Sequence, residues 1–285
     1  MHRRTRERMQ NLVEKYKREM EWYKKMSSTI NAEVCSNITE LPRVIQMLHR
    51  RGEKVIVDYA KENCRLKDAL DVMYTTQSVI KTLPPDSMCA IKLTSFGSRE
   101  SKSKAKDYAH SIIKTAKQHG VKVCIDAEDV LYPDICYDLM AEHNTQTDVH
   151  VYKTYQMYRT SAMQELMCDM NDTHKDGVML GAKLVRGAYL RKQKDLFSDK
   201  AAVDNEYAKA MTHSLVCPHV HTILATHNER SLRYATRFDK EQYVTAQLLG
   251  MGKNIGVDYR YVPFGNLVEL TPYLIRRLRE RMSWN

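Results

Sequence analysis

Arg276 and Arg277 stand side by side in Leu270–Arg281, a stretch with helical spacing. Neighbouring helical residues point about 100° apart, so both guanidiniums reach one ligand only if it lies over the helix end. Each fork offers two parallel donors that match a carboxylate or phosphate. Lys92 would make the set a three-cation anion trap. A solvated basic turn that stabilises the helix C-terminus is the alternative. Asp126 sits in Ile125-Asp126-Ala127-Glu128, a strand-like run where a lone buried carboxylate is costly. It needs a cationic or hydrogen-bonding partner, and could act as a base or orient a neighbouring Lys or Arg. Tyr189, Tyr261 and Tyr273 offer flat apolar faces with a polar tip. Such residues suit the wall of a small-ligand pocket, or an ordinary core.

Two further motifs carry less. Gly250-Met251-Gly252-Lys253-Asn254-Ile255-Gly256 approaches a dinucleotide fingerprint, but its spacing is GxGxxxG and no helix of normal length follows. His213, Cys217, His219 and His221 cluster near one strand. They read as a coincidence of composition rather than a tetrahedral zinc set, and no metal is expected. Seven cysteines, an odd number without a CxxC pair, argue against a disulfide framework. Cys89 and Cys124 read as small core residues.

The elements that must position these residues form a rhythm after residue 50. Short apolar, β-branched runs occur at Lys54–Ala60, Cys89–Thr94, Val121–Glu128, His150–Gln156, Ala182–Tyr189, Thr222–Asn228, Tyr243–Gly250 and Arg260–Gly265. Helical stretches alternate with them. Cys64–Leu83 stops before Pro84-Pro85, Lys102–His119 stops at Gly120, and Ala202–Leu215 and Leu270–Arg281 follow. Parallel neighbours need crossover connections, and eight such units are the count for a (β/α)8 barrel. In that fold chemistry gathers at the C-terminal ends of strands. Six of the eight runs, the second to the seventh, end in polar residues: Lys92, Asp126 with Glu128, Gln156, Arg186 with Tyr189, Thr226-His227-Asn228 and Gln247.

The 285 residues carry a formal charge of +10 and are 43% hydrophobic, enough for a full core. Residues 1–25 hold nine Lys/Arg against four Glu, and 276–281 four Arg against one Glu. No apolar run is long enough to span a membrane. The start lacks the apolar stretch of a secretory signal, and its acids do not suit a mitochondrial presequence. Residues 1–25 read as an exposed basic helix able to touch an anionic membrane surface. No groove-reading pattern accompanies the charge, so no nucleic acid is expected.

At the strand ends the chain resembles the proline dehydrogenase family. Ala90-Ile91-Lys92-Leu93-Thr94, Ile125-Asp126-Ala127-Glu128, Thr154-Tyr155-Gln156, Lys183-Leu184-Val185-Arg186-Gly187-Ala188-Tyr189 and Ala225-Thr226-His227-Asn228 carry the likeness. Gln247-Leu248-Leu249-Gly250-Met251, Tyr261-Val262-Pro263-Phe264-Gly265 and Tyr273-Leu274-Ile275-Arg276-Arg277-Leu278 continue it in family order, over about residues 54–280. The wording is similar to the fungal, mitochondrial-type branch. The resemblance implies a distorted (β/α)8 TIM-like barrel over residues 51–285, with a helical extension over 1–50. It implies non-covalent FAD and oxidation of L-proline to Δ1-pyrroline-5-carboxylate by hydride transfer to flavin N5. Electrons would pass to a quinone, on the matrix side of the mitochondrial inner membrane.

Carried over by position, Lys92, Arg276 and Arg277 would hold the proline carboxylate. Asp126, with Lys183, would form part of the catalytic framework. Leu184, Tyr189, Tyr261 and Tyr273 would enclose the ring, and Glu62 resembles an acidic gate that pairs with the first arginine of the RR motif. Ala127, Gln156, Lys183, Val185, Arg186, Gly187, Ala188, Ser198, Lys200, Thr226, His227, Asn228, Gln247 and Glu280 would line the flavin. Tyr261, where the hydroxyproline-specific branch carries a small residue, favours proline. Four departures stand out: Lys183 in place of an Arg, Leu190 in place of an aromatic, Arg281 in place of an Asn, and a short seventh unit. Met251–Tyr259 cannot hold a barrel helix and two loops, so either the helix is reduced to a turn or the barrel is open there. A degenerate barrel kept for binding or regulation is the alternative function; a folate-reductase-like flavin barrel is a third.

Overall fold

The computed structural model describes residues 36–188, 195–251 and 256–283, with side chains described up to Arg276 in the last helix. The basic segment 1–25 and residues 252–255 of the glycine-rich stretch lie outside them. Helix α1 (Leu41–Arg50) leads into β1 (Lys54–Tyr59), α2 (Leu66–Ile80) and β2 (Met88–Ile91). Then come α3 (Lys102–Gln118), β3 (Lys122–Ile125), α4 (Pro133–His143), β4 (Val151–Gln156), α5 (Ala162–Asp176) and β5 (Leu180–Val185). The chain continues through α6 (Lys200–Leu215), β6 (Val220–Ala225), α7 (Glu229–Ala235), β7 (Tyr243–Leu248), β8 (Tyr259–Phe264) and α8 (Leu267–Ser283). Gly120 takes φ +66 after α3, the left-handed ending its position suggested. None of the described helices is long and apolar enough to cross a membrane.

The eight strands are parallel and close into a barrel in sequence order. Closure is made by β1 on β8, with Ile56 opposite Tyr261. The barrel is therefore not open at the short seventh unit. β7 pairs β8 directly, Ala246 opposite Tyr259 and Leu248 opposite Tyr261, and the described part of the link between them contains no helix. On that outer face Arg260, buried at 2% exposure, forms a polar clamp. Its Nε and Nη2 donate to Glu53 Oε1 at 2.9 and 2.7 Å, and its Nη1 donates to Gln247 Oε1 at 3.0 Å. The clamp ties β8 to the start of β1 and to β7 where a crossover helix would ordinarily cover the sheet.

Alternation along each strand divides the core into two layers. Ile56, Met88, Ala90, Cys124, Tyr152, Ile223, Ala246, Tyr259 and Tyr261 fill the barrel interior. Val55, Val57, Cys89, Ile91, Val123, Leu184, Leu224 and Val262 pack outward beneath the helices. Leu41, Val44, Ile45 and Leu48 of α1 are buried in that same outer layer, so the expected boundary at residue 50 falls directly after a helix packed on the barrel. Ser36 bridges to Phe264 beside it.

Candidate active site

The interior positions end in polar residues at the C-terminal mouth. Asp58 follows Ile56 inward on β1, Lys92 follows Ala90 just past β2, Asp126 follows Cys124 past β3, and Lys183 faces inward on β5. Together they line a cavity of about 450 Å³ with Glu62, Thr154, Gln156, Val185, Ala225, His227, Leu248, Tyr261, Tyr273 and Arg276. That size suits an organic cofactor or small substrate. Among the described residues of its lining, Lys92, Lys183, Arg186, Lys200 and Arg276 face Asp58, Glu62 and Asp126, an excess of cations that favours an anionic ligand.

Asp126 is the hub. Lys183 Nζ donates to its Oδ1 at 2.5 Å, and the Tyr261 hydroxyl donates to its Oδ2 at 2.6 Å. Burial works against the Asp126 carboxylate, but Lys183 and Lys92 more than offset it and hold its pKa below the usual carboxylate value. Both oxygens are engaged, so Asp126 orients a lysine and a tyrosine. Lys183 Nζ lies 4.8 Å from the Tyr261 ring centroid, a cation–π contact that further fixes the ring. Burial opposes the Lys183 ammonium, and Asp126 reverses the effect and keeps it protonated.

Lys92 pairs with Asp58. The Lys92 pKa is raised because Asp58 and other carboxylates outweigh its burial. Burial raises Asp58, with Lys92 countering. Asp58 is a site residue that the motif reading passed over: its position at an inward strand end was visible, but its pairing with Lys92 depends on the β1–β2 register, Asp58 opposite Ala90.

Across the mouth, Arg276 on α8 donates from Nη2 to Glu62 Oε1, the pairing the gate resemblance implied. Tyr273, one turn earlier, packs with Ala60, Leu270 and Leu274, and Leu248 joins them from β7. The start of α8 is fixed by a reciprocal cap: Asn266 N donates to Glu269 Oε2 at 2.8 Å and Glu269 N to Asn266 Oδ1 at 3.0 Å. The Tyr59 hydroxyl donates to Glu269 Oε1 at 2.8 Å and ties the cap to β1.

The opposite rim is built from β4 to β6. Gln156 Nε2 donates to the Ala127 carbonyl at 3.3 Å. Arg186 donates to Asp204, Thr226 and Ser231 at 2.6, 2.5 and 3.1 Å and stacks on Tyr207. His227 Nε2 accepts from Leu248 N at 3.2 Å, which puts the proton of the neutral ring on Nδ1. Asn228 caps α7 through Ser231 N at 3.0 Å. Gly187, at φ +126, brings the backbone against Tyr158; an added Cβ would lie 2.0 Å from its ring.

Several residues expected here stand elsewhere. Leu184 does not line the cavity: between inward Lys183 and Val185, strand alternation turns it outward into the layer under the helices. Leu248, at the corresponding inward position on β7, takes its place on the wall. Gln247 borders the cavity, but its side-chain oxygen is held by Arg260. Ser198 is exposed, bonded to Asp199, and off the cavity lining. Ala188 and Lys200 line it. Tyr189, Leu190 and the side chains of Arg277, Glu280 and Arg281 lie outside the described residues.

Cys217 Sγ lies 3.1 Å from His219 Nδ1, but further contacts of the cluster lead elsewhere. His221 Nδ1 meets the Tyr152 hydroxyl at 3.0 Å inside the barrel, whereas His219 Nε2 meets the Met170 carbonyl at 3.0 Å. His110, Glu142 and His143 converge on α3 and α4. Lys106 Nζ already holds Glu142 at 2.8 Å, and Lys117 Nζ reaches the His143 carbonyl at 3.5 Å, two cations that oppose a metal ion there.

A family model described as proline dehydrogenase matches residues 41–283. Hydroxyproline dehydrogenase of Mus musculus is 30% identical over 210 residues, 61% of this chain and 46% of the relative. Mitochondrial proline dehydrogenase 1 of Caenorhabditis elegans is 29% identical over 208 residues, 60% of this chain and 34% of the relative. The chain spans less than half the length of these relatives. A crystal structure of proline utilization A from Bdellovibrio bacteriovorus, inactivated by N-propargylglycine, superposes with a TM-score of 0.74. It covers 86% of this chain and 32% of that one at 20% identity, a likeness of fold.

Proposed function

This chain belongs to the proline dehydrogenase family, and from that premise we propose that it oxidises L-proline to Δ1-pyrroline-5-carboxylate with FAD. The observation that carries the reading is the juxtaposition of Lys92 and Arg276 with the Asp126–Lys183–Tyr261 cluster in one cavity. Lys92 and Arg276, with Arg277 as a second guanidinium, would take the substrate carboxylate. Tyr261, Tyr273 and Leu248 would wall the ring. Glu62 would close the mouth over it and exchange its hold on Arg276 with the carboxylate.

The cavity's donor set fits FAD: Lys183, Arg186 and Lys200 are cations suited to a phosphate-bearing, anionic cofactor. Gln156, Val185, Gly187, Ala188, Thr226, His227 and Asn228 would complete its site. When bound, FAD supplies the hydride acceptor. The protein's part is to align the donor carbon and to keep positive charge beside the acceptor. Asp126 does the second indirectly, by holding Lys183 protonated in place. Electron transfer to a quinone and a mitochondrial location are part of the same proposal, as is contact of residues 1–25 with anionic membrane. Liposome pelleting with and without that segment tests the contact, and unchanged pelleting removes it.

Both proline and hydroxyproline dehydrogenases are among the relatives. Tyr261, committed through its hydroxyl to Asp126, leaves less room for a ring hydroxyl and favours proline. The test is flavin absorbance before and after anaerobic L-proline or hydroxyproline. Bleaching with proline alone is the expected result. A folded protein that takes up FAD and bleaches with neither substrate overturns the reading.

A further inference from the structure

We propose that Thr94 and Glu128 form a latch that positions the loop carrying Glu62, and thereby sets how firmly Arg276 is presented to the substrate carboxylate. The inference rests on the proposed proline-oxidising role of the site.

Residues 60–65 join β1 to α2. Three ties of this loop run to the turn that follows β2, Leu93–Phe96. Ser95 Oγ donates to the Lys61 carbonyl. Asn63 N donates to Thr94 Oγ1 at 3.0 Å, and Cys64 N to the Thr94 carbonyl at 3.0 Å. Asn63 holds a left-handed φ of +54, an uncommon conformation for a non-glycine residue. Glu62 is thus flanked on both sides by bonds to one turn.

That turn is anchored in its own right by Glu128, beyond the end of β3. Thr94 N donates to Glu128 Oε2 at 3.0 Å, and the Thr94 hydroxyl donates to Glu128 Oε1. A hydroxyl has one proton. Because Glu128 takes it, the lone pairs of Thr94 Oγ1 are left to accept from Asn63 N–H. The relay runs from the Asn63 amide to the Thr94 hydroxyl to the Glu128 carboxyl. Thr94 and Glu128 are both buried, and neither lines the cavity. Burial pushes the Glu128 pKa up to about 7 against the pull of its Thr94 hydrogen bonds, so the fold keeps a costly buried acid behind the cavity lining. Positioning accounts for it.

The test compares Thr94→Val, which keeps the shape and removes the hydroxyl, with Thr94→Ser, which keeps the hydroxyl. Both are made in the full chain loaded with FAD. The first readout is tryptic cleavage after Lys61 and Arg65; the second is KM and kcat for L-proline with a dye acceptor. Losing one buried bond should speed cleavage in Thr94→Val about tenfold. Its KM should rise about fivefold while kcat stays within about twofold, the mark of weakened binding rather than chemistry. Thr94→Ser should restore both. A flavin-loaded Thr94→Val protein with unchanged cleavage and KM overturns the latch. If Thr94→Val does not fold, Glu128→Gln is read the same way, and unchanged cleavage and KM there overturn it. A wild-type protein without proline turnover sinks the functional reading, while the cleavage comparison still decides the latch.

Discussion

Arg276 and Glu62 lie 214 positions apart in sequence and form an ion pair across the cavity mouth. The pair is well sheltered, with side-chain exposures of 17% and 8%. It joins the last helix to the loop after the first strand, so the site is complete only when both ends of the barrel sequence have come together. Under the proposed function, the substrate carboxylate would take over the role of Glu62 on this arginine.

Arg276→Lys keeps the charge and loses the planar fork. We expect kcat/KM for L-proline to fall roughly 10- to 100-fold, mostly through KM. Steady-state kinetics under saturating acceptor provide the check.

The Lys183–Asp126 pair is buried, with side-chain exposures of 4% and 14%. Removing one partner strands a charge: Lys183→Met should destabilise the fold by about 3–5 kcal/mol. The double change Lys183→Met with Asp126→Leu should recover part of that loss, because no uncompensated charge remains. Urea unfolding of the three proteins distinguishes these outcomes.

Acid should weaken the fold through its buried histidines. Burial, helped by His110, lowers His143 to about 4, and burial lowers His221 to about 4. A depressed histidine pKa means the unfolded chain binds more protons between the two values. Stability is therefore fully present above about 6.5 and declines as pH falls toward 4. Glu128 has the opposite slope. Its pKa is raised to about 7, so the native state binds more protons and stability declines as pH rises from about 4.5 to 7. Melting temperatures across pH 4–8 should show the acid decline shallower in His143→Asn. The Tm of Glu128→Gln should improve relative to wild type as pH rises from about 4.5 to 7.

Gly187→Ala should be severe. The residue adopts φ +126, and its new Cβ would lie 2.0 Å from Tyr158 Cδ1. The ring is buried and cannot yield cheaply, so backbone strain of about 1–3 kcal/mol adds to a steric clash. A large drop in Tm, or failure to accumulate folded protein, is the expected result. A Tm within a degree of wild type would contradict it.

Local patterns carried a good deal by themselves. Eight alternating runs separated by helical stretches specified a parallel (β/α)8 arrangement, because a two-residue period and crossover connections leave few alternatives. The polar residues at the strand ends placed Lys92, Asp126, Gln156, Arg186 and Thr226 at one mouth, and the family resemblance added Lys183 and Tyr261. The family motifs pointed to the Arg276–Glu62 pair.

What remained undecided depended on which residues meet across the sheet. Leu184 and Leu248 are alike as residues, yet only Leu248 faces the cavity, since each strand's inward face is fixed by its register in the closed barrel. Asp58 is a strand-end carboxylate until β1 lies beside β2 and brings it to Lys92. The short link after β7 left closure open to question, and closure follows from β7 pairing with β8 and from Arg260 reaching Glu53 and Gln247. Thr94 and Glu128 carried no signal beyond their motifs, because a hydroxyl's role depends on which acceptor takes its one proton. Sequence determined the elements and their polar ends, through interactions between neighbours in the chain. The tertiary structure alone decided the partners, because charge pairing and side-chain facing are set by contacts between residues far apart in sequence.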